Sequence, residues 1–129
     1  MTHPNAELMR RGYAAFAAGD LATLRELIAP NIVWHAPGRG PVSGTYKGID
    51  ELMELFATLG ELTDSSLHIE LHAALADDEH VSCLQIMRAS RGERRLHSEG
   101  ALVAHVHEGR LREVWVLHGD QDIVDAFFD

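Results

Sequence analysis

The chain has 129 residues, 46% hydrophobic and 24% charged, and carries a formal net charge of -9, which gives it the length and composition of one globular domain. That charge repels phosphate backbones and anionic lipid, and its densest basic run, RGERR at 91–95, is too short to offset it, so nucleic acid and membrane are excluded as partners. No apolar run reaches the ~18 residues of a membrane span, no leader pattern opens the chain, and one cysteine, Cys83, fits a reducing cytoplasm.

From His3 to Ala18 the apolar spacing predicts a helix with Leu8, Gly12 and Phe16 on one stripe and Met9, Tyr13 and Ala17 beside it. Gly19 ends it. Asp20 is a suitable N-cap for a second, shorter helix carrying Leu21, Leu24, Leu27 and Ile28, stopped by Pro30. The β-branched and aromatic run IVWHAPG predicts a strand closed by Pro37 and Gly38, residues 38–48 read as loop, and Ile49 to Leu59 predicts a third helix burying Leu52, Leu55, Phe56 and Leu59.

After Gly60 the apolar period changes from about 3.6 to 2, which predicts antiparallel strands to the end of the sheet. Leu67, Ile69, Leu71 and Ala73 alternate with His68, Glu70 and His72, and ADDEH at 76–80 turns the chain back through VSCLQIMRA. With Asp77 opposite His80, counting back places Leu71 opposite Ile86 and Ile69 opposite Arg88, so Leu84, Ile86 and Arg88 are expected on the inner face. A further turn near 91–93 leads to RLHSEGALVAHV, and His107-Glu108-Gly109 suits a three-residue hairpin. That register pairs Leu102 with Val114, Gly100 with Val116 and Ser98 with His118; a two-residue turn would instead send Glu99 inward. In the last strand Val114, Val116 and His118 share one face, with Trp115 and Leu117 on the other. Asp120 caps a short final helix whose Ile123, Val124 and Phe127 form an apolar stripe. Three helices followed by a strand meander make an α+β plan, in which a curved sheet wraps the helices and leaves a cone-shaped cavity between them.

The stretches YAAFAAGDLATLRELIAPNIVWHAPGRGPVSGTYKG at 13–48, HVHEGRL at 105–111 and DQDIVDAFF at 120–128 resemble the NTF2-like superfamily, in particular its SnoaL-like group. The resemblance covers nearly the whole chain and implies a single domain over residues 1–129: three N-terminal helices on a curved, mainly antiparallel sheet, with a short C-terminal helix. It also implies a cavity lined by Phe16, Trp34, Leu84, Ile86, Val114, Val116 and His118. The superfamily's ketosteroid isomerases place a general-base carboxylate where this chain has Ala36, an oxyanion tyrosine where it has Gly12, and a protonated aspartic acid near Leu102. The catalytic aspartate of limonene epoxide hydrolases falls near Val116. These roles are vacant, so the resemblance supplies a wall and no ready-made reaction.

His118, inward beside apolar walls, is the first candidate for acid–base chemistry, because an imidazole exchanges protons near neutral pH. Arg88 on the inner face would need a carboxylate partner, either Asp120 or an anionic group of a ligand; a snorkelling Arg at the cavity mouth fits equally. Asp120 is fully explained by capping and is a weaker catalytic candidate. Tyr13, Phe16, Trp34, Phe56, Leu84, Ile86, Ser98, Leu102, Val114 and Val116 are candidate binding residues. His35 joins them if Pro37 and Gly38 twist it back toward the opening. Although the chain holds nine histidines, no metal or other cofactor is expected: His68 and His72 lie ~13 Å apart on a strand, and His105 and His107 lack further ligands. The remaining outer-face groups, His68, His72, His97, His105, Cys83, Met87, Trp115 and Leu117, suggest a homodimer surface. Two functions follow: an isomerase-, cyclase-, dehydratase- or hydrolase-type enzyme acting on a small apolar molecule, or a non-catalytic binding or interaction module.

Overall fold

A computed structural model describes residues 3–129. Helix α1 spans Pro4–Ala18; His3 caps its start by accepting from the Asn5 N–H. Gly19 ends it in the left-handed region at φ 67°, where a side chain would be strained. Asp20 accepts from the Thr23 N–H and starts α2, Leu21–Leu27. Contrary to expectation, Ile28 already belongs to the strand that follows, β1, Ile28–Ala36. This strand passes through Pro30 at the irregularity between Ile28 and Val33, where the ladder needs no N–H. The loop expected at 38–48 contains a further strand, β2, Gly44–Lys47, antiparallel to β1. Helix α3 runs Ile49–Leu62, one turn longer than predicted.

The remaining elements are β3 (His68–Ala76), β4 (His80–Arg91), β5 (Arg94–His107), β6 (Arg110–His118) and α4 (Gln121–Phe128). They complete a six-stranded sheet of order β2-β1-β6-β5-β4-β3, antiparallel except for the β1–β6 pair. Its concave face packs on α1, α2 and α3 around Ile32, Leu52, Val81, Cys83 and Val114, all almost fully buried.

Two bulges determine which residues face that core. The β3–β4 turn has the predicted register at its tip, where the Asp77 N–H donates to the His80 carbonyl and Ala76 pairs with Val81. Between Ala73 and Leu71 the register then shifts, so Leu71 meets Gln85 and Ile69 meets Met87. An extra residue in one strand reverses the alternation beyond it. The inner face of β4 is therefore Val81, Cys83, Gln85, Met87 and Ala89, all buried, while Leu84, at 50% exposure, Ile86 and Arg88 face outward. The expected inner positions of Leu84, Ile86 and Arg88 are thus corrected, as are the outer positions given to Cys83 and Met87.

The β5–β6 hairpin has a two-residue turn, with Glu108 at φ 51° and Gly109 at φ 77°, both in the region a type I′ turn requires. A bulge at Arg112 offsets the slip that such a turn would impose. Glu99 accordingly stays exposed and Ser98 inward, but the expected three-residue turn and its pairings are corrected: His118 pairs with Gly100 in place of Ser98, Val116 with Leu102 in place of Gly100, and Val114 with Ala104 in place of Leu102. Helix α4 covers one end of the sheet through Val124, Phe127 and Phe128, with Ile123 half-exposed in place of its expected burial. Arg91 and Arg94 donate to the carbonyls of Phe127 and Asp129. The basic RGERR run thus holds the open C-terminal end of a helix.

Candidate functional site

Between helices and sheet lies a cavity of about 150 Å³. Its aromatic wall is a chain of edge-on contacts: Phe16 and Phe56 with ring centroids 5.1 Å apart, then Phe56 and Trp34 at 5.6 Å. Leu102, Val116, Met9, Leu55 and Ile69 complete an apolar enclosure, and Ala36, Gly40, Val42 and Ser43 with α4 frame one end.

Besides Ser43 of the loop at 37–43, four polar side chains line this enclosure. Tyr13, on α1, donates to the Gln85 Oε1 at 2.5 Å. Burial, reinforced by neighbouring Cys83, raises the Tyr13 phenol far above its ordinary value, so it stays a neutral donor. Burial also pushes the Cys83 thiol up to about 11, which makes that sulfur a poor nucleophile at neutral pH. At the other end His118 and Asp125 line the cavity together. His118 has no hydrogen-bond partner among the described residues. Burial lowers its pKa from the ordinary 6.5, and the Asp125 charge offsets part of that shift. Asp125 is itself held in place: it accepts from the Arg39 backbone N–H at 3.2 Å and from Gln121 Nε2 at 2.9 Å.

The sheet relates the two ends directly. Gln85 pairs with Gly100, and Gly100 with His118, so one rung of the sheet carries an amide, a bare position and an imidazole. Two strand spacings separate the outer members, roughly 10 Å between backbones. At Gly100 the neighbouring strand comes so close that a Cβ would collide with the Leu117 carbonyl oxygen.

Of the residues expected at the site, His118, Tyr13, Phe16, Trp34, Phe56, Leu102 and Val116 line the cavity. Val114 is fully buried in the core behind it. Ser98 is inward and 6% exposed, but it sits beside Met87 and away from the cavity, its Oγ without a partner among the described residues. Arg88 faces out, 3.6 Å from Glu70, and Asp120 caps α4 by accepting from the Ile123 N–H. His35 lies on the outer face, as regular alternation after inward Trp34 requires; it contacts Glu113 at 2.7 Å and stacks on Trp115. Sequence reasoning missed Gln85 and Asp125. Gln85 was hidden by the β3 bulge, whereas Asp125 had a usable signal: it stands four residues after Gln121 and next to Val124, on the face of α4 turned to the sheet. No cluster of three or more His, Cys, Asp or Glu side chains suited to a metal occurs among the described residues.

This arrangement of helices, curved sheet and cavity defines the class. A family model for the SnoaL-like domain matches residues 9–114, and the chain belongs to that family. Among solved structures it is similar to Bal32a from a soil-derived mobile gene cassette, with 34% identity, 98% of this chain and 97% of that one covered, and a TM-score of 0.95. The fold is shared with an NTF2-like protein of unknown function from Burkholderia pseudomallei, at 18% identity, 98% coverage of both chains and a TM-score of 0.88. It is also shared with IdmH, a candidate polyketide cyclase from Streptomyces antibioticus, at 22% identity, coverage of 92% and 93%, and a TM-score of 0.77.

Proposed function

We propose that this SnoaL-like protein is an enzyme that moves a proton on a small, largely apolar, carbonyl-bearing ring compound, with His118 as the acid–base group. The observation that carries the reading is an imidazole without a protein partner in an otherwise apolar hollow, beside the carboxylate of Asp125. Burial favours its neutral form, which is the form that accepts a proton. Once protonated, His118 is stabilised by the Asp125 charge across a poorly screened space. The apolar walls keep water from competing for the proton. Proton removal beside a carbonyl is a step common to isomerisation, dehydration and ring closure, and the likeness to IdmH agrees with the last of these.

A surrogate isolates that step. 1-Indanone fits the apolar, ring-sized character of the cavity and exchanges its C2 protons with solvent when a base removes them. In D2O, followed by proton NMR, the protein is expected to accelerate this exchange, and His118→Ala to lose about 100-fold or more of the acceleration. Binding of 1-indanone with no acceleration by the unaltered protein would sink the catalytic reading. The binding-module reading, which the apolar Ala36 in the cavity wall favours, would replace it.

A further inference from the structure

We propose that Gln85 is the specificity-determining residue of this cavity, presenting its amide N–H groups to a hydrogen-bond-accepting oxygen of the ligand, and that Tyr13 is the positioning residue that fixes it so. The inference rests on the reading of the cavity as a small-molecule site and deepens it by assigning the chemistry of the ligand's oxygen.

Gln85 is 6% exposed, and a buried primary amide is costly unless both its halves are satisfied. Its oxygen is satisfied by the Tyr13 hydroxyl. Its nitrogen donates to no group among the described residues, and the side chain lines the cavity. A free glutamine can turn over and offer either a donor or an acceptor. If this one turned over, the neutral phenol would be left with only the weak sulfur acceptor of Cys83 in the same dry region. Tyr13 thereby converts an indiscriminate amide into a donor. A carbonyl or ether oxygen is complemented there, whereas a hydroxyl or amine offering only its proton is not.

The rung geometry tells where the rest of such a ligand goes. Gly100 contributes no side chain between Gln85 and His118. A ring compound whose carbonyl oxygen meets Gln85 therefore spans the bare position, with the carbon next to that carbonyl directed toward His118 and Asp125. The aromatic chain of Phe16, Phe56 and Trp34 forms part of the surrounding wall.

The test compares bicyclic ligands of one size that differ in the polar group: indane, 1-indanone and indole, whose ring N–H only donates, titrated calorimetrically. The readout is the ratio of dissociation constants, which a general loss of packing would not move. The unaltered protein is expected to favour 1-indanone over indane, and Gln85→Met to lower that preference about tenfold, the scale of one buried hydrogen bond. Gln85→Leu, which likewise removes the N–H donors, is expected to lower it as well and covers failure of the methionine variant to fold. Tyr13→Phe releases the amide and is expected to raise the relative affinity of indole while the preference for 1-indanone falls. Unchanged ratios in the Gln85 variants, with both ligands still bound, would overturn the role given to Gln85. An unchanged indole ratio in Tyr13→Phe would overturn that given to Tyr13. If no compound bound the unaltered protein, the cavity reading would fall and this one with it.

Discussion

The two polar ends of the cavity are built on opposite plans. At the Tyr13–Gln85 end a phenol and an amide satisfy each other at 2.5 Å, and the pair is rigid because neither can rotate without losing its partner in a dry setting. At the His118–Asp125 end the imidazole is unpartnered, while the carboxylate is anchored to the loop by Arg39 and to its own helix by Gln121. One end has fixed donors and no group that ionises near neutral pH, a setting suited to recognition. The other has an imidazole whose pKa burial lowers, beside a charge that stabilises its protonated form.

The largest expected effect comes from spreading the rung that joins the two ends. Gly100→Ala puts a methyl group against the Leu117 carbonyl oxygen and 3.3 Å from the His118 Cα, so β5 and β6 must separate at the rung. The expected cost is about 3 kcal/mol, a fall in Tm on the order of 10 °C, measurable by calorimetry. A Tm within a degree of the unaltered protein's would show that the rung has room to give.

A smaller effect sharpens the contrast by acting on one end alone. Asp125→Asn removes the charge that holds the His118 pKa up, so the imidazole should titrate at still lower pH, read from its ring protons by NMR. The acid limb of any His118-dependent reaction should move the same way, because the base form persists further into acid. The sign for stability follows from the same shift. His118 in the folded chain lies below the ordinary 6.5, so the unfolded chain binds more protons in the interval between the two values, and stability falls as pH drops through it. An unmoved His118 titration would remove Asp125 from the site. Smaller again, Asp120→Ala should cost about 1 kcal/mol in chemical denaturation, the loss of one helix cap and nothing from either end of the cavity.

What could be read from the sequence was local. Gly19, Asp20 and Asp120 each act on backbone groups a few residues away, and each does what its chemistry predicts. The facing of β6 was also recoverable, because Leu111 and Val114 are separated by two charged residues, Arg112 and Glu113, and such a pair in a strand points to a bulge. Strand β3 offers no such mark. Its shift falls between Leu71 and Ala73, and the two identical small residues on its far side, Ala73 and Ala74, do not reveal which of them points inward. That ambiguity exchanged Gln85 for Arg88 as a candidate polar group on the inner face. Strand β2 was unreadable for another reason: its four residues, Gly44–Lys47, are too few to show a period, and they form a strand because β1 offers them an edge.

The extra residues in β3 and β6 also bear on the architecture as a whole. An unbroken ladder of six strands would make a nearly flat palisade, against which helices lie flush and leave no room. Each inserted residue steepens the coil of its strand, and the palisade becomes a vault. The hollow is therefore a product of backbone geometry before any side chain fills it, and the same shell can be relined for new tenants without being rebuilt.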